Sequence, residues 1–132
     1  VAEIIQISPY LSTLLSIKKP KKLHIQILGM IESTFQLSWL SHVVGQVPCH
    51  SDIDIDQQQC LFNDLAFIRR DLFDYLLKSC RTEKRIASEL DAIHHHTKAS
   101  YTQLLKLKQV SIDKVQVFVS QLRYHIRSTT EA

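Results

Sequence analysis

A chain of 132 residues, 45% hydrophobic and 22% charged, has the make-up of an ordinary globular protein, which excludes low-complexity, collagen-like and disordered classes. Its formal charge of +3 falls short of the single-sign field of a dedicated nucleic-acid binder, and no apolar run approaches the ~18 residues needed to cross a bilayer. One domain covering 1–132 is expected, away from the membrane and with the cytoplasm as the simplest location; the first residue is not methionine, which suggests a trimmed or excised segment.

In chain order, Ser8-Pro9 pairs a capping residue with a proline suited to a first helical turn, and Leu11, Leu14 and Leu15 follow at helical spacing, so a short helix is expected over 9–18. Pro20 disfavours helix at Lys19 and suits the start of a second helix over 20–44, with Ile27, Leu28, Ile31, Phe35, Trp39 or Leu40, and Val43 as its stripe. Gly45 would supply a left-handed cap at its end. Leu23, Ile25 and Ile27 also alternate with His24 and Gln26, which keeps a short strand open there.

The run Asp52-Ile53-Asp54-Ile55-Asp56 would precede a third helix, where carboxylates favour the unpaired N–H groups, with Asp56 and Gln59 resembling a capping box. A calcium site is the sharper alternative, but the glycine and distal glutamate of an EF-hand loop are absent, which favours the capping role. Leu61, Leu65, Ile68, Leu72, Leu76 and Cys80 then mark one face of a helix over 57–80.

After Pro48 the remaining 84 residues contain neither glycine nor proline, which argues for helix throughout. A single rod over 57–128 would be about 108 Å long, too long for this domain, so breaks are needed. Thr82-Glu83 and Ser111 are good caps and imply helices over 82–108 and 111–128, the last carrying Ile112, Val115, Val119, Leu122 and His125 or Ile126. The expected fold is all-α: an antiparallel bundle of four main helices plus a short N-terminal helix. Its rival is a long helical hairpin with 57–108 continuous.

The three cysteines, Cys49, Cys60 and Cys80, fit neither a disulfide framework nor a CxxC site and are read as reduced thiols, Cys60 and Cys80 in the core. His94, His95 and His96 are the most unusual local run, but successive helical side chains diverge by about 100°, so a metal would need distant partners such as Cys49, His50 or His125; no metal site is assigned. Lys18, Lys19, Lys21 and Lys22 around Pro20 could contact phosphates of nucleic acid, although a solvated interhelix loop needs no such role and no helix-turn-helix, aromatic stacking motif or arginine-rich face accompanies them. Asp71 and Asp74 have Arg69, Arg70 and Lys78 within reach as surface ion pairs. P-loop, GxGxxG, HExxH and GxSxG motifs are absent, and so is the R-x(4-6)-H spacing of helical HEPN ribonucleases, which leaves no enzymatic or cofactor reading.

The segment His95-His96-Thr97-Lys98-Ala99-Ser100 resembles the H-x-x-K-G-S core of histidine phosphotransfer domains, departing from it at Ala99. The resemblance implies a four-helix bundle in which His95 accepts a phosphoryl group from a response-regulator aspartate and Lys98 neutralises its charge. By elimination the primary expectation is a non-enzymatic helical module with an adaptor, regulatory or assembly role, binding another protein or itself. Phe62, Ala66, Phe67, Phe73, Tyr75 and Leu77 lie beside the main stripe of 57–80, and Phe62, Phe67, Phe73, Tyr75 and Leu77 are the expected partner face.

Overall fold

The computed structural model describes residues 9–17 and 19–131 of the chain, and those residues are helical with no strand. The helices are α1 (Pro9–Ser16), α2 (Lys22–Phe35), α3 (Leu37–Gln46), α4 (Asp52–Ser79), α5 (Glu83–His95), α6 (Lys98–Leu105) and α7 (Ile112–Thr130). The alternation at 23–27 therefore belongs to a helix, α2, which buries Ile27 and Leu28 while Ile25 faces solvent.

Caps explain most of the boundaries. Thr82 and Ser111 accept from the backbone N–H groups of Arg85 and Lys114, so α5 and α7 start where the sequence indicates. The start of α4 is corrected. Ser51, not Asp56, is its N-cap and accepts from Asp54 N, while an Asp54 carboxylate oxygen accepts from His50 N at 3.0 Å. The Asp52–Asp56 run thus opens the helix, with Asp52 and Asp54 in its first turn, where the positive end of the helix dipole favours their negative charge.

Two expected helices are interrupted. The helix placed over 20–44 begins at Lys22 and breaks at Gln36, the single non-glycine residue with positive φ (52°) among those described; Gly45 stays helical and no glycine takes the left-handed role assigned to it. The helix placed over 82–108 breaks at His96-Thr97. With neither glycine nor proline at either break, local propensity carries no signal for them.

Cross-helix partners fix the directions. Arg69 meets Glu32 and Gln58 meets Val44, so α2 and α3 run antiparallel to α4. Gln57 meets Gln116 and Asp64 meets Arg123 at a constant separation of 59 residues, so α4 and α7 run parallel. His96 meets His125 and Tyr101 meets Phe118, placing α5 and α6 antiparallel to α7. The chief packing partners form a closed circuit of α2 with α4, α4 with α7, α7 with α5, and α5 with α2, and α1 lies across α2 and α4. Although only three residues join α4 to α5, these helices do not pack side by side as the short connection suggests. The link crosses the bundle diagonally.

The core lies inside this circuit. Leu61, Leu65, Ile68, Leu72, Leu76 and Cys80 of the α4 stripe are all at most 1% exposed, joined by Ile31, Phe35, Ile86, Ile93, Val115 and Leu122 from the other helices. Cys60 is exposed rather than buried, because it falls beside that stripe and not on it.

Candidate interaction surface

The polar centre of the bundle is built around Arg69, which was expected on the surface but is 1% exposed. Its guanidinium pairs with Glu32 of α2 rather than with Asp71 or Asp74, and its Nη2 donates to Ser41 Oγ at 3.4 Å. The other oxygen of Glu32 accepts from Ser38 N at 3.1 Å and from Ser38 Oγ at 2.8 Å, satisfying an orphan donor in the first turn of α3. Gln36 Nε2 donates back to Ser33 O. One carboxylate thus caps the new helix and fixes the break to α4.

The histidine run is split by the second break. His94 is half-buried edge-on between Phe35 at 5.4 Å and Tyr101 at 6.1 Å between ring centroids, and burial with the nearby Lys98 charge lowers its pKa against a weaker opposing effect of Asp91. His95 is exposed at the end of α5 and Lys98 begins α6, so the two are not one turn apart on a continuous helix. His96 stacks on His125 of α7 with ring centroids 4.4 Å apart and an interplanar angle of 12°. Burial and the proximity of His96 lower the pKa of His125. His125 is one of the three distant residues, with Cys49 and His50, that a metal site in this run would call on. Among the described residues, however, no group of three or more His, Cys, Asp or Glu side chains is arranged to hold a metal ion.

Three buried polar atoms have no hydrogen-bond partner among the described residues: Arg69 Nη1, His94 Nδ1 and Tyr101 Oη. Burial pushes the Tyr101 phenol up to about 12.

The residues expected to form a partner face do not share one exposure. Phe73 is 7% exposed and packs edge-on against His24, while Phe62, Tyr75 and Leu77 are partly buried against the core. Tyr75 Oη donates to Glu89 of α5 at 3.1 Å, and burial followed by that carboxylate raises its pKa. Only Phe67 of the five is open, 46% exposed with the Arg123 guanidinium 5.6 Å above its ring. Lys19, Lys21 and Lys22 are exposed around Pro20, and Lys18 lies outside the described residues.

A surface that sequence reasoning missed lies between α6 and α7. An open groove of about 610 Å³ has Leu104, Leu107 and Phe118 in its lining, Val117 at 58% exposure, and Lys106 and Lys114 among its polar residues. The signal was present as charge asymmetry. From Lys98 to Arg127 the chain carries six of its sixteen lysine and arginine residues and only one of its thirteen acids, Asp113.

No family model, curated protein or solved structure matches the chain.

Proposed function

We propose that the protein is a non-enzymatic helical-bundle module that acts by binding another protein or a second copy of itself. The observation that carries this reading is the open α6–α7 groove, where apolar side chains reach solvent between two helices. Grooves of this kind accept the apolar face of another helix. Selection from a displayed library of helix-forming peptides, followed by amide chemical-shift mapping, tests the reading. Specific binders should perturb Leu104, Leu107 and Val117. A selection without specific binders, in a protein that also fails to self-associate, would remove it.

A second reading, a histidine phosphotransfer domain with His95 as acceptor, is favoured by the exposure of His95 on a helical bundle. The helix break before Lys98 withholds the charge partner this chemistry would use. Incubation with a phosphorylated receiver domain decides it: transfer should label the protein and be lost in His95→Ala, whereas persistent label or none eliminates the proposal.

A further inference from the structure

The groove and the first turn of α4 are complementary surfaces on one chain. Ile53 is 77% exposed and Ile55 50%, two large apolar side chains left in water among Asp52, Asp54 and Asp56. Asp54 is engaged by His50 N, but none of the three carboxylates pairs with a cation among the described residues. The groove offers the converse: its lining joins Leu104, Leu107, Val117 and Phe118 to Lys106 and Lys114, whose two positive charges outnumber the single carboxylate there, Asp113. Opposite charges around apolar contacts give both attraction and register.

The turn does not fill the groove of its own chain, since its isoleucines are exposed. The two surfaces nevertheless share one end of the bundle, because Gln57 near the start of α4 bonds Gln116 near the start of α7 at 2.8 Å. A two-fold axis at that end can satisfy both contacts at once, as isologous dimers require.

We propose that the α6–α7 groove receives the Asp52–Asp56 turn of a second copy of this chain, forming a reciprocal homodimer. This rests on the reading of the bundle as a binding module and names its partner. The apolar floor favours a protein turn over nucleic acid, and the carboxylates disfavour an anionic lipid surface.

Sedimentation equilibrium on the full chain tests the assignment. The wild type should show twice the 15.3 kDa protomer mass at concentrations up to about 0.5 mM, with association weakening as salt shortens the Debye length. Ile53→Lys in the turn and Lys114→Glu/Val117→Glu in the groove alter exposed positions, so circular dichroism should stay native. Each variant alone should lose at least about tenfold in self-affinity, and mixing the two should restore a heterodimer with one intact contact. A strict monomer overturns the inference, as does a dimer indifferent to both variants. If a strict monomer instead binds unrelated helix-forming peptides in the groove, the partner is another protein and the module reading survives. If the groove variants instead abolish binding of poly(U) or phosphatidylserine vesicles to a monomer, the homodimer is wrong and the occupant is of that class.

Discussion

Arg69 shows how a single side chain organises the centre of the bundle. A guanidinium 1% exposed is tolerable only while Glu32 and Ser41 hold it, and the same Glu32 caps α3. Arg69→Ala should therefore cost about 3–5 kcal/mol, whereas the paired replacement Arg69→Met/Glu32→Gln should cost much less, because no uncompensated buried charge remains. Urea unfolding of the two variants provides the comparison. A mild effect of Arg69→Ala would show that the pair contributes little. Sequence alone grouped Arg69 with the surface because the adjacent Arg70, Asp71 and Asp74 are charged and exposed. Glu32, 37 positions earlier, gives no local hint of the pairing.

Histidine chemistry supplies a second residue-scale expectation. The pKa values of His94 and His125 lie below the usual 6.5, each chiefly through burial. The folded state consequently binds fewer protons than the unfolded chain as pH falls below 6.5, so stability should be complete above that pH and decline down to the depressed values. Thermal unfolding at a series of pH values from 7.5 to about 5.5 checks the sign. His94→Phe should flatten the decline, and a melting temperature that rises on acidification through this window would contradict the assignment.

At the scale of elements, the two expected helix starts at Thr82 and Ser111 were legible because capping chemistry is written within four residues. The third was displaced because Ser51 precedes the acidic run and its hydroxyl reaches Asp54 N. The breaks were not legible: Gln36 has unremarkable helix propensity, and its left-handed conformation is bracketed by its own bond to Ser33 O and by that of Ser38 N to Glu32, a carboxylate held from α4 by Arg69. Gln36→Gly should remove that backbone strain and stabilise the protein by roughly 0.5–1 kcal/mol after glycine's entropy cost. Chemical denaturation measures it, and a loss of stability would mean that the Gln36–Ser33 bond outweighs the strain. Gly29 presents the opposite case, an interior α2 position at which a Cβ would meet nothing within 4 Å. Gly29→Ala should add about 0.8–1 kcal/mol.

For the whole molecule, absence of punctuation after Pro48 conveyed the helical class, and the α4 stripe conveyed which face is buried. The circuit of helices was not legible, since a three-residue link permits both a side-by-side hairpin and a diagonal crossing. Its centre is α4, which packs on α2, α3 and α7. Ile68→Ala, at a fully buried site on that helix, should cost about 2–5 kcal/mol by urea denaturation, the spread reflecting how far the surroundings collapse. The groove escaped detection for a related reason. Val117 at 58% exposure and the partly buried Leu107 line it, and nothing within either segment's own sequence sets the two side by side.

The two helix breaks stand abreast, with Phe35 at the end of α2 touching His94 in the last turn of α5, whereas α4 and α7 pass that height uninterrupted. Of the two short segments, α6 buries only Tyr101 and Leu104 in the core, against Leu37, Leu40 and Val44 for α3, so sub-global opening should begin at α6. The groove is walled by one of those segments. A docking helix should therefore slow amide exchange in α6 well before it slows any amide in α4.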